Sequence, residues 1–174
     1  MSSTNKRLGD LVGICFLAAL AVGSLGCEVQ FSENPSPDEV MQVIERRGAG
    51  RVEEVLWNDA PGASAIRAGV SSCDPEWMKV AASLWGGGYA HVSEEMIEGF
   101  SECLPGAARS LKAGQLDFLK YALIARMDSE RDIDRIGLLS ETRRDLAGSR
   151  LPPDAKREGE EMLDACIARG GYFD

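Results

Sequence analysis

The chain has 174 residues, of which 28 are Asp or Glu and 19 are Lys or Arg, for a formal charge of -9 at pH 7. That balance argues against nucleic acid and anionic headgroups as ligands, because an acidic surface repels both, and it is compatible with a basic protein partner. The length suffices for one domain with a real core and hardly for two.

In chain order, the first element is a targeting segment. Lys6 and Arg7 precede a run from Leu11 to Val22 that carries no charge. The run fits the apolar part of a secretory signal and is short for a spanning helix, which needs about 20 apolar residues. Small residues at Ser24 and Gly26 suit an ordinary signal peptidase that leaves Cys27 as a plain N-terminus, and an uncleaved anchor is a further option. The tetrad Ser24-Leu25-Gly26-Cys27 also resembles the lipobox of bacterial lipoproteins, with Ser24 where leucine is usual. This resemblance implies a signal peptide over 1–26 and a diacylglyceryl group on the Cys27 sulfur. It also implies an exported protein held on the periplasmic side. Glu28 in place of aspartate implies the outer membrane of a Gram-negative bacterium; a soluble periplasmic or secreted protein is the alternative. Residues 27–36 are polar and proline-punctuated, as a tether would be. Losing Lys6, Arg7 and Asp10 with the signal removes two positive charges and one negative, so -9 becomes -10.

Residues 37–174 read as a single all-α domain. Ser36-Pro37-Asp38-Glu39 starts a helix: serine caps, proline takes the first turn and Glu39 completes a capping box. Arg46-Arg47 before Gly48 suits its end. A short helix is expected over Arg51–Trp57, with Val52, Val55 and Leu56 inward, and another around Ile66, its end loosened by Gly69. Asp74-Pro75-Glu76 opens a helix whose Trp77, Val80, Ala81, Leu84 and Trp85 share a broad apolar face. After Gly86-Gly87-Gly88, Ser93 is expected to cap the next helix, which carries Met96, Ile97, Phe100, Cys103 and Leu104. Pro105 stops it and begins a short helix through Leu111. Leu116–Met127 is apolar on much of its circumference and is expected to be the central helix. Ser129 is expected to cap a helix ending at Gly148, and a last helix follows Pro152-Pro153 with Ala155, Met162, Leu163 and Cys166 inward.

Short connections predict antiparallel helical hairpins. Stacked pairs of short helices resemble an irregular solenoid of the HEAT type, although no fixed period is visible. The pattern Trp57, Ile66-x-x-Gly69, Trp77-x-x-Val80-Ala81-x-x-Leu84, then Ile97 to Leu104-Pro105 and Leu111, also resembles small exported bacterial proteins of unassigned function. The chain departs from that pattern around Cys73 and at Gly87-Gly88-Tyr89, and the resemblance implies an exported helical domain with no catalytic residue attached.

If Cys15 leaves with the signal and Cys27 is acylated, the thiols left are Cys73, Cys103 and Cys166. Cys73 lies before one helix and Cys103 near the end of the next, ends that an antiparallel pair brings together, so these two are expected to form a disulfide. Cys166 shares a face with Met162 and Leu163 and is expected to be a buried thiol. His91 is the one histidine of the sequence. With Ser93, Glu94 and Glu95 it superficially offers a base, a nucleophile and acids, but nothing signals an oriented triad or an oxyanion hole. Asp128, Glu130, Asp132 and Asp134 fail as a calcium loop, because Ile133 and Leu139 stand where glycine and glutamate are required. No motif points to a metal or another cofactor.

The glycine loop with Trp85, Tyr89 and His91 is therefore the candidate contact surface, since glycines allow close approach and aromatics anchor interfaces. The expected function is a membrane-tethered periplasmic interaction protein without catalytic activity, its partner another protein, basic in character. An exported toxin that it neutralises, or an envelope component, would fit. The alternative is an envelope hydrolase using paired carboxylates, which would have to be buried, whereas the acidic clusters read as exposed helix faces.

Overall fold

Ser36 and Pro37 start the first helix as their chemistry dictates. In the computed structural model, which describes residues 29–130 and 132–173, α1 spans Pro37–Arg47 and the Ser36 hydroxyl accepts from the Glu39 N–H at 3.2 Å. The expected capping box is only half made. The Glu39 carboxylate turns to Ser32, accepting from its N–H at 2.9 Å and its hydroxyl at 2.8 Å. The Ser32 N–H, then its hydroxyl, hold the Glu39 carboxyl below its ordinary value. These bonds fasten part of the stretch expected as a tether to the helices. Phe31 and Pro35 are buried, and a Cβ on Gly62 would lie 2.9 Å from Phe31 Cβ.

Gly48 ends α1 with its N–H on the Ile44 carbonyl and opens α2, Ala49–Trp57. Next come α3 over Ala63–Val70 and α4 over Pro75–Leu84, which Asp74 caps by accepting from the N–H groups of Glu76 and Trp77. Helix α5 spans Ala90–Glu102 and so starts before Ser93, not at it. A 3-10 segment, Gly106–Ser110, follows the cis Leu104–Pro105 bond. Helix α6 is Leu116–Ser129, α7 is Arg135–Ala147 and α8 is Pro153–Ala168. Ser129 ends α6. Helix α7 is capped instead by Asp134, which accepts from the Gly137 N–H at 2.9 Å.

All described secondary structure is helical, with no strand among the described residues. The hairpin expectation holds for α1 with α2, α4 with α5, α5 with α6, and α7 with α8, an arrangement consistent with a helical stack. It fails at α6 and α7, where α7 packs on the 3-10 segment and α8. The centre also differs from expectation. Helix α4 touches α1, α2, α3, α5 and the 3-10 segment, and buries Met78, Val80, Ala81, Ala82 and Leu84. Helix α6 buries Phe118, Leu119, Ala122, Leu123 and Met127 but leaves Tyr121 48% exposed, so its apolar circumference is only partly used. Phe100 and Phe118 meet edge to face at 4.8 Å in the core, each contributing roughly 1.5–3 kcal/mol by burial.

Gly69 does not loosen α3. It lies inside the helix beneath Trp77, and a Cβ there would come within 2.3 Å of the indole, so the glycine is what lets that ring lie down. Cys73 and Cys103 are bonded, with Cα atoms 5.2 Å apart, joining the approach to α4 to the end of α5. The bond closes a loop 30 residues apart in sequence and is worth about 3–4 kcal/mol on a chain-entropy estimate. Cys166 is fully buried on α8, as its neighbours Met162 and Leu163 implied, and takes no part in that bond.

Candidate functional site

The site is built around a carboxylate that sequence reasoning missed. Glu53 sits on α2 among Val52, Val55 and Leu56 and is fully buried with them. Its oxygens accept from the Tyr89 N–H at 3.1 Å and the Ser93 hydroxyl at 3.1 Å, bonds that reach 36 and 40 residues along the chain. Burial pushes the Glu53 carboxyl above its ordinary value, and the two hydrogen bonds partly offset that rise. Ser93, expected as a cap, is thus a buried residue inside α5 whose hydroxyl serves Glu53 instead of its own helix end.

The Gly86-Gly87-Gly88 loop lies directly on this carboxylate. A Cβ on Gly87 would stand 2.2 Å from Glu53 Oε2, and one on Gly50 would stand 2.6 Å from the Gly87 carbonyl oxygen. A side chain at Gly50 therefore requires the backbone to shift, and one at Gly87 would displace the Glu53 carboxylate. The glycines do allow close approach, as expected, but the partner they approach is the protein's own α2. The loop is pinned from beneath, and its flanking aromatics are displayed on a fixed base.

Those aromatics fall into two groups. On one side, Tyr89 stacks on Trp57 at 6.1 Å and His91 meets the same indole edge-on at 5.8 Å. Trp57 is 55% exposed, so this cluster faces solvent. His91 lies in the first turn of α5 and not in a loop. On the other side, half-buried Trp85 packs on Phe118 at 5.8 Å and on exposed Tyr121 at 5.3 Å. Trp85 thus belongs to both core and surface. The structure brings Tyr89 and His91 together through Trp57, and places Trp85 across the loop beside Tyr121. Trp57 and Tyr121 join the candidate surface only through tertiary contact. In Trp57 the available signal was a large aromatic at the last position of a short helix.

Between Trp85, Tyr121 and α5 runs a groove of about 490 Å³, also lined by Gly86, Gly88, Ala90, Ser93, Glu94 and Ile97. Its wall is mostly apolar, with Glu94 as its exposed charge. Glu98 and Glu102 continue from Glu94 along the exposed side of α5, each one turn on. Nearby Arg67 is committed elsewhere: it donates to Glu95 at 2.6 Å, to Asp59 at 2.9 Å and to the Leu56 carbonyl at 2.5 Å.

Among the described residues no group of His, Cys, Asp and Glu is placed to hold a metal ion, and no helix is long and apolar enough to cross a membrane. Cys27 and the tetrad before it lie outside the described residues. No protein-family model, curated protein or solved structure matches this chain.

Proposed function

We propose that this protein is a lipid-anchored periplasmic interaction module. It would be held by acylated Cys27, on the outer membrane of a Gram-negative cell, and would present the face around Gly86–Gly88 to another protein. The observation that carries the reading is the pairing of exposed aromatics with a rigid base. Trp57 and Tyr121 stand 55% and 48% exposed on either side of a loop that buried Glu53 holds in place. Exposed aromatic anchors on a pre-organised surface are the side chains that dominate interface energetics, and little ordering entropy is lost when such a surface binds. A toxin neutralised at the cell envelope, or a fixed envelope component, would suit such a face equally.

Glu53 does not favour the hydrolase reading. Its oxygens are engaged by the backbone of Tyr89 and the hydroxyl of Ser93, which suits a latch better than an acid or base.

Affinity capture from envelope extracts tests the proposal. The wild-type domain should retain a partner that Trp57→Ala or Tyr121→Ala loses, while both variants stay folded with only a modest loss of thermal stability, because each ring is half exposed and packs on its aromatic neighbours. An identical set of retained proteins for wild type and variants would refute it. The anchor is tested separately: Cys27→Ser should move the protein from the membrane fraction to the soluble periplasm and abolish incorporation of a labelled fatty acid.

A further inference from the structure

We infer that the groove between Trp85, Tyr121 and α5 takes an arginine side chain of a basic partner segment, with Glu94 as its counter-charge; this rests on the interaction reading above. The first observation is shape. A groove of about 490 Å³ falls within the 300–1,000 Å³ range of sites that enclose a small ligand, which is room for one or two side chains and not for a folded domain.

The second observation is the chemistry of the walls. Trp85 and Tyr121 lie 5.3 Å apart with their planes tilted by 38°, giving an aromatic corner. A planar guanidinium can stack on such faces while pairing with a carboxylate, and Glu94 lines the same groove. An ammonium lacks the planar fork and gains less from this geometry.

The third observation is charge. Glu94, Glu98 and Glu102 follow one another at four-residue spacing on α5, and none of them pairs with a cation among the described residues. Like charges at this spacing destabilise a helix. Arg67, the cation beside α5, is already held by Glu95 and Asp59. Glu98 and Glu102 border the neighbouring cavity that Arg67 lines, so the charge of the slot itself is that of Glu94, without a cation among the described residues, in a chain whose formal charge is -9. Such a surface is complementary to a basic segment, and the field steers its approach.

The test uses the full chain and three synthetic peptides of twelve residues, in which every third residue is Arg, Lys or Glu and the rest are Gly and Ala. Binding is followed by tryptophan fluorescence and by calorimetry. The Arg peptide should bind at least five-fold tighter than the Lys peptide, the Glu peptide should not bind, and affinity should fall as salt rises. Glu94→Gln should weaken the Arg peptide about ten-fold and Tyr121→Ala at least as much, with thermal stability of Glu94→Gln no lower than wild type because the carboxylate is exposed and lies one turn from Glu98. Equal binding of the Arg and Glu peptides, or an Arg affinity indifferent to Glu94→Gln and Tyr121→Ala, overturns the inference. The interaction reading fails separately: a captured envelope partner that is lost with Tyr121→Ala but kept by Glu94→Gln preserves that reading and removes the arginine site.

Discussion

Glu53 shows how one side chain can decide the shape of a surface it does not reach. Replacing it with alanine leaves the part-buried Tyr89 N–H and the buried Ser93 hydroxyl without their acceptor, and should cost about 2–4 kcal/mol. Denaturant unfolding of Glu53→Ala would register that loss, and quicker hydrogen exchange at Tyr89 would locate it. Glu53→Gln keeps an acceptor and removes the charge. Because burial raises the Glu53 carboxyl, the folded state binds its proton more tightly than the unfolded chain does. Stability from this group is therefore full at low pH and is lost as pH rises from the ordinary glutamate range through the raised value. Glu39 has the opposite sign: held low by Ser32, it stabilises above the ordinary range and loses that contribution as pH falls through its lowered value. Melting curves across acidic pH should thus show Glu53→Gln gaining on the wild type as pH rises. A difference between the two proteins that does not change with pH would contradict the assignment. Gly87→Ala should cost about 1–3 kcal/mol by driving a methyl group against the same carboxylate.

At the scale of the element, helix starts were legible wherever a cap and a proline coincide. Ser36-Pro37 and Asp74-Pro75 begin α1 and α4 where the sequence places them, and Pro153 begins α8. Ser93 and Ser129 deceived for a common reason. A serine preceding acidic residues satisfies the local rule for a cap, yet Ser93 is claimed by Glu53 forty residues away and Asp134 lies better placed to cap α7. Asp134→Ala should therefore lower stability by about 1 kcal/mol, whereas Ser129→Ala should change it by a few tenths at most. The pairing of Cys73 with Cys103 was also legible, because it follows from hairpin geometry and not from side-chain chemistry. Cys73→Ser should cost about 2–4 kcal/mol and leave Cys166 protected from alkylation until the domain unfolds, as mass spectrometry of labelled protein would show.

For the molecule as a whole, the distribution of charge matters more than its sum. Acids such as Glu95 and Asp145 are spent on Arg67 and Arg109, tying elements together, while Glu94, Glu98 and Glu102 stay without a cation among the described residues. Partial neutralisation of that stripe, as in Glu94→Gln with Glu98→Gln, should raise the melting temperature slightly while weakening binding of a basic partner. Opposite responses of stability and affinity are the mark of a surface retained for contact.

The sequence by itself determined that the described part of the chain is helical, that Cys73 and Cys103 meet, and that Cys166 is buried. The first and last depend on periodicity and punctuation within a few turns of chain, and the disulfide on the simple geometry of two successive helices. Only the tertiary structure decided that α4 is the hub, that Glu53 is buried, and that Trp57 and Tyr121 flank the glycine loop. These facts depend on which helices pack together and on the side chains that packing brings into contact, which no periodicity or cap within a single helix specifies. A glutamate beside Val52 and Val55 reads as a solvated edge of a helix until α5 is seen to lie over it, supplying the donors that make its burial tolerable.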